Sequence, residues 1–121
     1  MRNLKIQGIN MEVTPAIDQH FREKLNVLDK YIDQNDESVE CNARVSKETG
    51  RAGDMFKAEV SLHTAGKNFG AVAENADMYV AIDDVKEAVE RKIISYKDKK
   101  RSIFKRGASK AKDLLRGFKK F

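Results

Sequence analysis

One stretch constrains this chain more than any other: Asp77 to Arg101, DMYVAIDDVKEAVERKIISYKDKKR. At 3.6 residues per turn Met78, Ile82, Val85, Val89, Ile93 and Tyr96 fall on one stripe, the spacing of a long helix that buries one face and wets the other. Asp77 stands at the N-cap, where a carboxylate accepts from orphan backbone N–H groups and meets the positive end of the helix dipole. The far end carries Lys97, Lys99, Lys100 and Arg101. A cation there is worth about 0.3–1 kcal/mol against the dipole. All four follow Tyr96, the last position of the apolar stripe, so dipole complementarity explains only part of the cluster and a partner outside the helix is expected.

A one-sided helix must be covered, and the rest of the sequence supplies the cover. Leu4, Ile6 and Gly8 alternate with Lys5 and Gln7, a short first strand with one buried face. The period then changes. Thr14-Pro15 starts a helix, with the hydroxyl as cap and the proline pre-set at the first helical position. Ile17, Phe21, Leu25, Leu28 and Ile32 continue it as an amphipathic helix from about Pro15 to Asp33, with His20, Lys24, Val27 and Tyr31 on one flank. Asp33 to Ser38 has no apolar residue and is expected to be a loop. Val39, Cys41, Ala43 and Val45 give a second strand. Glu48 to Asp54 is a glycine-bearing hairpin connection, and Phe56, Ala58, Val60 and Leu62 form the inward side of a third strand. After a tight turn at Ala65-Gly66-Lys67-Asn68, Phe69, Ala71 and Ala73 give a fourth. The order is β-α-β-β-β-α, and the economical arrangement is an α+β fold in which both helices cover one face of a four-stranded sheet and the other face stays wet.

With 121 residues the chain suffices for one modest core. The expected division is a domain over residues 1–101 and a basic, flexible or conditionally helical tail over 102–121. In that tail Phe104, Ala108, Ala111, Leu115 and Phe118 share a helical stripe, while Gly107 and Gly117 each weaken it by about 1 kcal/mol. No apolar run approaches the length of a membrane span. The opening MRNLKIQGIN lacks the apolar core of a secretory signal, and a single Cys cannot form an internal disulfide, so a reducing cytoplasmic setting is expected.

Net charge is +5, and its distribution says more than its total. Residues 97–121 hold eleven Lys/Arg against two acids, a balance of +9, which leaves thirteen bases against seventeen acids, or −4, in residues 1–96. A mildly acidic body with one strongly basic end is the footprint of a protein that meets a polyanion, nucleic acid first and anionic membrane second.

Catalysis finds little support. His20 and His63 are isolated on polar or flanking positions, where structural or solvated roles are the common ones. Cys41 has inward strand parity and no Cys or His neighbour at metal spacing. Asp83, Asp84, Glu87 and Glu90 fit a solvated helix face with local pairing to Lys86, Arg91 or Lys92. Gly50 and Gly53 lack the spacing of a phosphate loop. No catalytic residue, metal or cofactor is therefore expected. The cations are different: Lys24, Lys86, Arg91 and Lys97 come from two helices expected side by side, where they can join Lys99, Lys100 and Arg101 in one patch. Such a patch suits rigid, shape-reading contact with folded RNA through phosphates and 2′-hydroxyls.

The opening IQGINMEVTPAI, the helix end LDKYID, and above all AENADMYVAIDDVKEAVERK followed by YKDKK, resemble the ribosome hibernation promoting factor and ribosome-associated inhibitor family over about residues 3–101. The resemblance implies a cytoplasmic, monomeric, non-enzymatic translation inhibitor without cofactor or membrane partner. Such a protein binds the small ribosomal subunit, its rRNA and neighbouring ribosomal proteins. There it occupies the tRNA and mRNA paths of the decoding cleft and competes with both ligands. Lys24, Arg91, Lys97 and Lys99 stand where relatives carry rRNA-contacting bases, and Arg101 matches a usually basic place. Val27, Ala88 and Ser95 fill places often held by lysine in relatives, while Lys86, Lys92 and Lys100 add cations elsewhere. The segment 102–121 is too short for the extra domain of the long type, and its basic character differs from the acidic tail of the inhibitor type. From charge alone, a generic double-stranded-RNA-binding module remains the alternative, and a membrane-surface protein acting through the tail is a third.

Overall fold

The computed structural model describes the backbone of residue 1 and residues 3–115, and the side chains of residue 1 and residues 3–100. The elements run β1 (Leu4–Ile9), α1 (Pro15–Asn26), a 3₁₀ helix (Val27–Tyr31), β2 (Glu40–Gly50), β3 (Gly53–Thr64), β4 (Lys67–Asn75) and α2 (Met78–Leu115). This is the expected α+β order. The chain divides into two compact units, Met1–Arg91 and Lys92–Phe121, and the division falls inside α2. The boundary anticipated after Arg101 also lies within that helix. The expected conformation of residues 116–121, and the side-chain stripe from Phe104 to Phe118, lie outside the described residues.

Within the first unit the strands lie side by side in chain order. β1 is parallel to β2 because α1 carries the chain back between them, whereas the two hairpins make β2–β3 and β3–β4 antiparallel. The register aligns Leu4, Cys41, Leu62 and Phe69 in one row, Ile6, Ala43, Val60 and Ala71 in the next, and Gly8, Val45, Ala58 and Ala73 in a third. One parity of every strand thus faces the same way. Onto it pack Ile17, Phe21 and Leu25 of α1, Leu28 of the 3₁₀ helix, and Met78, Ala81, Ile82, Val85 and Val89 of α2, all buried. The opposite parity, including Lys5, Arg44 and Glu59, is left to solvent or half-exposed.

Both helix starts follow the sequence signals. Thr14 Oγ1 accepts from the Ile17 N–H at 3.2 Å with Pro15 behind it, a cap worth about 1 kcal/mol. Asp77 Oδ1 accepts from the Tyr79 N–H at 2.9 Å. The first helix departs from expectation in its second half: regular α-helix ends at Asn26 and a 3₁₀ turn takes over. Leu25 in the last turn of α1 and Leu28 in the 3₁₀ turn are both fully buried. The β2–β3 connection is also tighter than expected. The strands run on to Gly50 and Gly53, leaving Arg51-Ala52 as the turn. Asp54 holds the ends together by accepting from Thr49 Oγ1 at 3.0 Å and pairing with Lys47 at 3.3 Å.

Two glycines are required by geometry. A Cβ on Gly8 would stand 2.2 Å from the carbonyl oxygen of Met11, which folds back over β1. Gly66 takes φ +73° beside Ala65 at +51° in the two-residue β3–β4 turn, the left-handed pair that lets a hairpin twist correctly.

Candidate nucleic-acid interface

On the first unit, α1 and the 3₁₀ helix meet α2 along a polar seam. It begins with spacing: His20 and Lys24 lie four apart on α1, Tyr79 and Asp83 four apart on α2, so each pair shares a helix face. His20 Nε2 donates to Asp83 Oδ1 at 2.7 Å, and the His20 ring stands edge-on to Tyr79 with centroids 5.1 Å apart. Lys24 Nζ is 3.5 Å from the same Asp83 oxygen. Further along, Glu90 receives the Tyr31 hydroxyl at 3.1 Å and the Lys86 ammonium at 3.1 Å, with Lys30 Nζ 3.9 Å away. Lys30 also sits 5.2 Å from the centre of the Tyr31 ring.

These contacts reassign several residues. His20 has a structural role, as its flanking position allowed, but its partner is on the other helix. Asp83 belongs to this seam rather than to a purely solvated face. Glu90 does pair locally with Lys86, and it reaches across to Tyr31 as well. Burial raises the Glu90 pKa; bonds from Lys86 and Tyr31, with the charges of Lys86 and Lys30, pull it down further, and the balance lies below the ordinary glutamate value. The Lys86 and Glu90 side chains are only 15% and 20% exposed, so this pair is less screened than an ordinary surface pair.

Of the candidate cations, Lys24, Lys86 and Arg91 belong to the first unit. Lys24 and Lys86 are held by carboxylates, whereas Arg91 is exposed and makes no ion pair among the described residues. Lys97, Lys99 and Lys100 belong to the second unit, where all three are exposed. Arg101 is helical backbone there, its side chain outside those described.

Several other titratable groups of the first unit have local structural roles. A depression bordered by Asp29, Ile32, Asp33, Gln34, Asp36 and Val39 presents three carboxylates. Asp36 is a loop staple. It accepts from the Ser38 hydroxyl and N–H, from the Ala65 N–H at 2.8 Å and from Thr64 Oγ1 at 3.1 Å, tying the loop before β2 to the β3–β4 turn. These bonds, Ser38 foremost, hold its carboxyl well below the usual range. Cys41 is buried, and burial pushes its thiol up to about 12, which keeps it protonated and inert. His63 is occupied by Asn68 at 2.7 Å. Among the described residues no cluster of three His, Cys, Asp or Glu side chains is arranged to hold a metal, and no helix is long and apolar enough to cross a membrane.

Residues 4–101 match the family model described as sigma 54 modulation protein / S30EA ribosomal protein. The chain belongs to this family. It is 34% identical over 98 residues to the ribosome hibernation promotion factor of Deinococcus radiodurans, a match covering 80% of this chain and 50% of that protein. It is 32% identical over 96 residues to the ribosome hibernation promoting factor of Escherichia coli, covering 79% of this chain and 94% of the relative. Against the curated relatives from Deinococcus, Bacillus and Lactococcus the chain spans about half of their length. Among solved structures, the N-terminal domain of Thermus thermophilus Protein Y superposes with a TM-score of 0.60 at 28% identity, over 78% of this chain and 98% of that one.

Proposed function

We propose that this chain binds the small ribosomal subunit and keeps idle ribosomes out of translation, as a steric inhibitor that occupies the tRNA and mRNA paths of the decoding cleft. The observation that carries the proposal is the seam between the helices of a chain in the S30EA family: Lys24 pairs across it with Asp83, and Lys86 pairs along α2 with Glu90, which itself accepts from Tyr31 across the seam, so these cations lie on regular helices. A face of this kind recognises RNA by fixed phosphate spacing, the form of recognition that structured RNA permits. The names of the Deinococcus and Escherichia relatives point the same way.

In this proposal Lys24, Lys86 and Arg91 of the first unit and Lys97, Lys99, Lys100 and Arg101 of the second contact rRNA. No bond is made or broken. Occupancy alone blocks the ligands of the cleft, so the inhibitor acts in the cytoplasm as a monomer without cofactor, and residues 102–121 add electrostatic affinity. Co-sedimentation with small subunits, run beside a free RNA duplex and anionic lipid vesicles, tests the proposal. Tight binding to subunits with weaker binding to duplex and vesicles is expected. Equal binding to duplex would favour a general double-stranded-RNA module, and preference for vesicles a membrane-surface protein.

A further inference from the structure

Asp83 and Glu90 stand where a phosphate-binding face has least use for them. A carboxylate within a Debye length of a polyanion repels it, yet both lie on α2 near the cations assigned to rRNA. Their side chains are 39% and 20% exposed and lie outside the apolar core. Local helix support does not account for them either. In the Lys86–Glu90 pair the base precedes the acid, the weaker order for residues four apart, and Asp83 pairs with no residue of its own helix among the described contacts.

What each does is gather several groups onto one carboxylate, with partners across the seam. Asp83 Oδ1 takes the His20 N–H at 2.7 Å and holds Lys24 Nζ at 3.5 Å. Glu90 takes Lys86 on Oε1 and the Tyr31 hydroxyl on Oε2, both at 3.1 Å, with Lys30 3.9 Å away. A lysine left alone sweeps its ammonium through many rotamers and meets any phosphate that passes. A lysine tied to a carboxylate presents its charge in one place and gives it up only to a phosphate that arrives there.

We propose that Asp83 and Glu90 are specificity-determining residues of the RNA-binding face, fixing Lys24 and Lys86 in position while reducing net charge, so that RNA with matching phosphates is held and regular duplex RNA is held poorly. This rests on the ribosomal function proposed above. Specificity is a difference between two affinities, and a repulsive group that weakens the wrong partner more than the right one widens it. Both acids are positioning residues: they act through the lysines.

The test uses the full chain with Asp83→Asn, Glu90→Gln and both together. These changes keep shape and leave an acceptor for His20 and Tyr31 while removing the charge. Binding to small ribosomal subunits and to a free RNA duplex is measured at one salt concentration, with thermal melting alongside. The double variant is expected to bind duplex several-fold more tightly and subunits about tenfold more weakly. With Lys24→Ala already present, Asp83→Asn should no longer weaken subunit binding. A purely structural role predicts a lowered melting temperature and both affinities falling together; that result, or both rising together, overturns the inference. Wild type that ignores subunits altogether overturns the functional proposal and this inference with it, an outcome visible before any variant is made.

Discussion

The charge of α2 changes sign along its length. From Met78 to Arg91 four acids, Asp83, Asp84, Glu87 and Glu90, face Lys86 and Arg91, whereas residues 92–101 carry Lys92, Lys97, Lys99, Lys100 and Arg101 against Asp98 alone. The two stretches answer different demands. In the first, apolar residues at helical spacing close the sheet, and the acids on the flank bind cations and hydroxyls from α1 and the 3₁₀ helix. Asp83, Lys86 and Glu90 are paired within the fold. In the second, cations recur at spacings that repel: Lys97 and Arg101 are four apart, a like-charge relation that costs about 0.2–0.5 kcal/mol in a helix. The proposed polyanionic partner would offset such a cost. One helix therefore contains a stretch that closes the sheet and a stretch to which the proposed function assigns RNA contacts.

The change expected to act most strongly crosses the two. In the proposed complex, replacing Lys24, Arg91 and Lys97 together with Ala would remove three charge-assisted contacts worth about 1.5–3 kcal/mol each. Inhibition of in vitro translation should disappear at protein concentrations where the wild type is fully active. A triple variant that inhibits normally would dissolve the comparison, because cations of neither stretch would then matter.

The next effect separates the stretches on the stability side. Ile82 is fully buried, and Ile82→Ala should destabilise the fold by about 2–5 kcal/mol in denaturant titration. Lys99→Ala with Lys100→Ala should stay within about 0.5 kcal/mol. The same lysine pair should show on the binding side instead. If six to eight cations meet phosphates, log K falls with log[salt] at a slope of about −4 to −7, and losing two phosphate contacts should flatten that slope by about 2. A wild-type slope near −1 would rule out a phosphate-dominated contact.

The smallest effect sharpens the account of the first unit. Asp36 and Glu90 both have carboxyl pKa values below their ordinary ones, so each favours the folded state when ionised. Their contribution is complete above the unfolded carboxylate range, about pH 4, and is lost as pH falls through the lower folded-state values. Asp36→Asn and Glu90→Gln should therefore lose less stability than the wild type between about pH 5 and 2, with the variants and wild type converging toward the acid end. Parallel pH profiles would show that neither carboxylate is linked to folding.

The apolar skeleton is legible in the sequence because burial imposes periods: two along β2 and β3, and three or four along α1 and α2. Thr14-Pro15 and Asp77 announce the helix starts for a local reason, since a cap is satisfied by its own neighbours. The 3₁₀ turn at Val27–Tyr31 is not legible, because Leu25 and Leu28 keep a spacing that fits either helix type. The extra length of β2 and β3 is hidden for the opposite reason: Gly50 and Gly53 signal a turn, but the pairing that carries the strands up to them comes from Asp54 reaching back to Lys47 and Thr49. At the candidate site, the cations could be named from charge and spacing. Of their partners, only Glu90 beside Lys86 was legible, through its i,i+4 spacing; the partners across the seam were not. His20 with Asp83 and Tyr31 with Glu90 are 63 and 59 residues apart. Only the flank shared by His20, Lys24 and Tyr31 hinted that this side of α1 meets another polar face.

The central claim is that the protein occupies the decoding cleft, and competition tests it most directly. Small subunits programmed with mRNA and carrying tRNA in both the A and P sites are titrated with labelled protein, beside vacant subunits. Exclusion from the loaded subunits, with tight binding to the vacant ones, is the predicted result; undiminished binding to subunits that keep both tRNAs would contradict it.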